Sequence, residues 1–276
     1  MTLLGLGLAL VVGLSLGLLG GGGSVLTVPI FVYVMGFEAK QAIAMSLIVV
    51  GAASLVGAAR HWRAGRVDLR VAIIFGVIAM AASYAGARLA RLVSGPVQLL
   101  LLAIVVCVAA ISMLRRARPA PPPSADGPDI DVVSPLSVVR LMPVAIGVGL
   151  LTGLVGVGGG FLIVPALVLL GRVPIKLAIG TSLFVITMNC AAGIVGYLGH
   201  VTMPWGIVGM FTAVAIGGLV AGTHLVGIVS PVALRRGFAV LLMCVGTFVL
   251  AQNRRVIADA ATMGLNRVTV WRAGRA

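Results

Sequence analysis

Two glycine-rich runs hold the residues best suited to chemistry. The first reads Gly20-Gly21-Gly22-Gly23-Ser24 and the second Gly156-Val157-Gly158-Gly159-Gly160. Each lies inside an apolar stretch and is followed closely by a proline, Pro29 in one case and Pro165 in the other. Glycine weakens a helix interior by about 1 kcal/mol relative to alanine, so such a run breaks a helix. A helix broken inside a membrane leaves N–H groups unpaired at the start of its second part, where the helix dipole is positive. An anion satisfies both conditions. The expected donors lie around Gly22, Gly23 and Ser24, and around Gly158, Gly159 and Gly160. A structural hinge is the competing reading.

A second element follows each run, KQAIAMSL at 40–47 and KLAIGTSL at 176–183. Ser46, Thr181 and Ser182 fall one to two turns into the predicted helices. Their hydroxyls can donate to an oxyanion or bond back to their own helix. Asn189 follows Ser182 by two turns and so shares its face. A buried amide in a membrane segment marks either a functional group or an interhelical hydrogen bond. Lys40 and Lys176 open these helices, where they can steer anions inward or simply snorkel to the interface. His224 corresponds to Arg88 and is the best titratable candidate in the second part of the chain, whereas His61 and His200 read as ordinary loop residues.

Missing residue types narrow the chemistry further. Glu38 and Asp68 fall in loops, Asp259 falls in the tail, and no carboxylate lies in the middle of an apolar segment. Cation carriers generally need buried acids, so a cation substrate is disfavoured. No phosphate-cradling loop, zinc-ligand set or nucleophile–base pair is present. Cys107, Cys190 and Cys244 sit in apolar runs without metal-ligand spacing. The sequence predicts no enzyme, no metal and no cofactor.

Membrane helices must position these groups. Hydrophobic residues make up 61% of the 276 and charged residues only 9%, where a soluble domain carries roughly a quarter. Apolar runs of bilayer-spanning length recur from end to end. The 20 Lys and Arg outnumber 6 Asp and Glu, but they cluster in short breaks, as at Arg60, Arg63, Arg66 and Arg70. That is the pattern of loops flanking membrane helices rather than of a nucleic-acid face. The reading is an all-α polytopic protein, multi-pass in the cell inner membrane, whose partners are lipid and a small anion.

The chain also repeats itself at an offset of 136, pairing Gly20 with Gly156, Gly23 with Gly159, Pro29 with Pro165, Lys40 with Lys176 and Ser46 with Ser182. Two homologous halves follow, residues 1–114 and 140–251, separated by a flexible Pro-rich linker at 115–139 and followed by a basic tail at 252–276. Each half has four hydrophobic segments. The first, such as 2–35, would extend about 50 Å as one helix, too long for a single crossing, and so is expected to break at its glycines. Eight to ten crossings result, with the halves parallel if the short helix continues across and inverted if it returns. The parallel arrangement divides the cationic loop residues eight against seven. The inverted one places twelve (Arg60, Arg63, Arg66, Arg70, Arg115, Arg116, Arg118, Arg140, Arg172, Lys176, Arg235 and Arg236) against Lys40, Arg88 and Arg91, although the tail's five arginines fall on the minority side. Inverted repeats are favoured.

The paired glycine motifs leading to V-P, the following AMSL and GTSL helices, and the duplicated layout resemble the TauE/SafE family. The resemblance covers both hydrophobic halves and leaves out linker and tail. It implies export of sulfite or an organosulfonate such as sulfoacetate, driven by an ion gradient in which protons are a candidate. A passive small-anion channel and an uptake transporter for another oxyanion are the alternatives.

Overall fold

The computed structural model of the chain describes residues 2–115, 135–169, 173–197, 199, 201–225 and 231–253. Among these the chain forms ten α-helices and no strand: α1 (Thr2–Leu19), α2 (Ser24–Pro29), α3 (Ala39–Arg63), α4 (Leu69–Leu89), α5 (Gly95–Arg115), α6 (Pro135–Val155), α7 (Gly160–Leu169), α8 (Ile175–Tyr197), α9 (Trp205–Leu225) and α10 (Pro231–Gln252). By length and composition, four are able to cross a membrane: α3, α4, and the Leu177–Tyr197 and Trp205–His224 parts of α8 and α9. Large apolar side chains point outward along them, including Leu55, Ile73, Val77 and Met210. Such faces suit lipid rather than water.

α1 stops where Gly20 and Gly21 take φ of 63° and 121°, in the left-handed region that side-chain-bearing residues avoid. α2 then runs back beside α1: a methyl group placed on Gly23 would lie 2.8 Å from Ser15 Cβ, and one on Gly5 would lie 3.5 Å from Met35 Sδ. Pro29 lacks an N–H and crowds the preceding turn, and the helix widens into a π turn at Ile30–Val34, closed by Met35 N–H on Ile30 O at 3.0 Å. α6 stops in the same manner at Val155, and Gly158 and Gly159 take φ of 69° and 70°. Gly159 then packs back against Val148 and Thr152 of α6.

α3 and α8 form the centre, with 72% and 61% of their apolar spans buried against 33% for α9. They run antiparallel, Gly51 meeting Cys190, Gly57 meeting Leu183, and Gly193 meeting Leu47. The flanking pairs are parallel. Gly13 and Gly17 of α1 meet Ala215 and Leu219 carbonyls of α9, and Gly149 and Gly153 of α6 meet Ala79 and Ser83 carbonyls of α4. Small residues let these backbones touch, the packing expected of GxxxG spacing. α1, α3, α5 and α9 therefore begin at one face, called here the near face, and α4, α6, α8 and α10 begin at the far face.

Two expectations shift. α6 starts at Pro135, inside the stretch read as linker through residue 139, because proline at the first helical position is already set to helical φ. His61 lies in the last turn of α3 rather than in a loop, since α3 continues to Arg63. His200 lies outside the described residues.

Candidate functional site

The two glycine breaks meet at the centre of the molecule. A methyl group on Gly21 would lie 2.7 Å from Gly160 Cα, and one on Gly160 would lie 2.6 Å from Gly21 Cα. Ile186 of α8 closes on both, and Val50 of α3 closes on Gly158. The backbones approach this closely only because neither position carries a side chain.

Two serines hold the breaks in place. Ser46 Oγ donates to Gly156 O at 2.6 Å and also faces Ile43 O at 2.8 Å. Ser182 Oγ donates to Gly20 O at 2.7 Å and faces Ile179 O at 2.8 Å. Each thus anchors the carbonyl just before the break in the other part of the chain. A hydroxyl has one proton, and both carbonyls are C-terminal groups that their own helix leaves orphaned. Both serines are fully buried. As built, they brace the breaks and offer no free proton to an anion.

The remaining predicted residues divide. Ser24 Oγ donates to Gly21 O at 2.7 Å and tightens the first break. Among the described residues the N–H groups of Gly158, Gly159 and Gly160 have no acceptor, while Gly159 O takes Leu162 N–H and Ile163 N–H at 3.0 and 3.1 Å. Asn189 is fully buried, and among the described residues neither side-chain heteroatom has a partner. Ser182 faces Gly20 and Ile186 faces Gly21 and Gly160, so Asn189, one turn beyond Ile186, continues the same stripe. A buried unpaired amide costs about 1–3 kcal/mol.

Thr181 is not brought to the breaks. Its Oγ1 accepts Asp68 N–H at 3.0 Å, tying the α3–α4 loop over the start of α8. Lys40 lies at the near face and donates to Arg91 O at 3.3 Å. Lys176 belongs to the first turn of α8, and its side chain lies outside the described residues. His224 is exposed at the far face, with Arg60 Nη2 3.1 Å from its Nε2.

Sequence reasoning passed over several buried polar groups. Thr27 Oγ1 and Ser54 Oγ have no partner among the described residues, nor do Tyr197 Oη, Gln98 Oε1 and Arg91 Nε. Gln98 carried a readable signal, as the lone amide in the apolar run from Pro96 to Leu114. Tyr197 and Arg91 carried none, because segment ends commonly bear such residues.

Comparison with known proteins agrees with this architecture. The family model described as "Sulfite exporter TauE/SafE" matches residues 5–249. A "Probable membrane transporter protein" of Xylella fastidiosa is 32% identical over 242 residues, 87% of this chain and 91% of the relative. One from Methanocaldococcus jannaschii is 29% identical over 209 residues, 71% of this chain and 73% of the relative. One from Bacillus subtilis is 25% identical over 186 residues, 67% of this chain and 74% of the relative. No solved structure matches. On the extent of the family match and the identity to the Xylella protein, the chain belongs to the sulfite exporter TauE/SafE family of membrane transporters.

Proposed function

We propose that this transporter exports a small sulfur-containing anion, sulfite or an organosulfonate such as sulfoacetate, across the cell inner membrane. The anion would bind at mid-depth between the two broken helices. The observation that carries this reading is the junction of the breaks, where the N–H groups of Gly158, Gly159 and Gly160 have no acceptor among the described residues; the buried, unpaired amide of Asn189 stands one turn beyond Ile186 on α8. Gly22, Gly23 and Ser24 supply the facing helix start. Two helix N-termini contribute about half a positive charge each, enough to offset a monovalent oxyanion but not a divalent one. Ser46 and Ser182 hold the donors in register, and Lys40 and Lys176 steer anions from either face. Thr181 enters only through the loop it ties down. Sulfite and export come from the family description, and driving by a proton gradient is part of the same proposal.

The two halves are read as inverted repeats. The return of α2 along α1, the opposite starting faces of α1 and α6, and the reciprocal serine bonds support this. So does the twelve-to-three division of loop cations, which puts the far face inside the cell. Direct contact between Gly21 and Gly160 favours a transporter over a passive pore, since a pore conducts through a standing opening.

Flux of labelled sulfite, sulfate and sulfoacetate into proteoliposomes, with and without a pH gradient, tests the function. Monovalent forms should move faster than sulfate, and Gly159→Leu should abolish flux in folded protein. Sodium or potassium flux with no sulfite or sulfonate flux would sink the reading. With the native cysteines replaced by alanine, Gly65→Cys and Thr202→Cys should label from opposite faces. Labelling from one face would sink the inverted arrangement.

A further inference from the structure

The short arm between the first break and α3 has the construction of a hinged element. It runs from Ser24 through the π turn to Val34. Glycines in the left-handed region stand at both ends, Gly20 and Gly21 on one side and Gly36, with φ of 79°, on the other. A methyl group on Gly36 would meet nothing within 4 Å, so the chain has room to turn there. Hinges are commonly a few residues at the ends of an element that absorb large φ and ψ changes, and glycine absorbs them at least cost.

The arm keeps its hydrogen bonds almost entirely to itself. Ser24 N–H and Leu26 N–H donate to Gly21 O and Gly23 O, Met35 N–H donates to Ile30 O, and Phe37 N–H donates to Phe31 O. Among the described residues one hydrogen bond joins residues 24–35 to another helix. Asn253 Nδ2, just past the end of α10, donates to Tyr33 Oη at 2.7 Å. The same nitrogen donates to Val249 O at 3.0 Å, which fixes the amide on α10, and Phe248 meets the Tyr33 ring edge-on at 5.3 Å. Phe31 also packs on Phe211 of α9, with ring centroids 4.7 Å apart. Hydrophobic contact is non-directional and tolerates a shift, whereas a hydrogen bond does not. In this position the arm leaves Thr27 Oγ1 buried and without a partner among the described residues, a polar group that a moved arm could satisfy.

We propose that this arm is a gate at the near face, swinging on Gly20–Gly21 and on Gly36, and that the bond from Asn253 to Tyr33 is the latch that holds it shut. Both α10 and the arm end at that face. Releasing the latch frees the outer end of the arm from α10, draws Met35 away from Gly5 of α1, and uncovers Thr27. Calling the arm a gate rests on the transport reading above; its latched, hinged movement does not.

Thiol labelling in lipid nanodiscs tests the latch, with the native cysteines replaced by alanine and a polar maleimide as the probe. Thr27→Cys is combined in turn with Tyr33→Phe and with Asn253→Ala. Each latch variant should label about fivefold faster at Thr27→Cys than the protein with the latch intact, the shift expected from losing one neutral hydrogen bond. Ala53→Cys, equally buried but on α3 and outside the arm, should label at an unchanged rate, which separates a freed arm from a loosened fold. An unchanged rate at Thr27→Cys in either latch variant, or an equal rise at Ala53→Cys, would overturn the latch. A cross-link tests the gate. A methyl group on Gly5 would lie 3.8 Å from Met35 Cγ, so oxidation of the Gly5→Cys, Met35→Cys double variant should tie the arm to α1 and stop flux of labelled sulfite, and reduction should restore it. Undiminished flux through the oxidised protein would overturn the gate. Absence of flux in the unaltered protein would defeat the transport reading instead, and the labelling rates would then decide the hinged arm by themselves.

Discussion

The two glycine breaks share a frame and differ in lining. Ser46 and Ser182 correspond at an offset of 136, and each holds the carbonyl before the opposite break, at 2.6 and 2.7 Å. The positions around them do not correspond in chemistry. Ser24 answers to Gly160, Leu16 to Thr152, and Ala53 to Asn189. The same frame occurs twice, but polar function is needed only once, and a buried amide without a partner is costly to keep twice. Support in this centre is two-sided, and its free amide comes from one side.

The largest effect should come from closing the junction itself. Gly160→Val puts a branched side chain against Gly21 Cα and Ile186 Cδ1, at distances of 2.6 and 2.5 Å for the first carbon alone. Flux should vanish, with stability lower by about 1–3 kcal/mol. Gly21→Ala should be comparably damaging, since Gly21 faces the same contact with φ of 121°. Near-normal flux in either would show that the breaks need not touch.

Asn189→Leu should rank next. Flux should fall at least about tenfold if the amide binds the anion, while the thermal midpoint should hold or rise, because an unpaired buried polar group is removed. A destabilised protein with normal flux would reassign Asn189 to structure and leave the lining without its asymmetry. Smaller still, Ser46→Ala and Ser182→Ala should each cost about 1 kcal/mol in unfolding free energy. A gap between them larger than about 1 kcal/mol would break the equivalence of the two braces. Ser24→Ala, losing only a bond within its own turn, should cost about 0.5 kcal/mol and sharpen the contrast with Gly160.

Glycine content carried much of this arrangement into view. Gly20 to Gly23 and Gly156 to Gly160 were readable as chain interruptions because backbone strain is local and glycine announces it. Gly13 and Gly17 act differently: spaced as GxxxG and free of strain, they let the α9 backbone touch because they carry no side chain. The partners of Ser46 and Ser182 were not readable. Their carbonyls lie 110 and 162 residues away, and a serine that braces a distant break looks in sequence like one that faces a ligand. Thr181 failed similarly, since its bond to Asp68 N–H depends on a loop folding across α8.

The crossed packing of α1 on α9 and of α6 on α4 bears on how the protein is made. The glycine face of α1 around Gly13 waits for Gly218, about 200 residues later on the ribosome. At bacterial and eukaryotic elongation rates that is roughly 10–40 s. During that interval the nascent chain holds an uncovered small-residue groove on α1, open to any helix able to fill it. A stalled or truncated chain ending before α9 should therefore be a substrate for membrane quality control rather than a half-sized transporter.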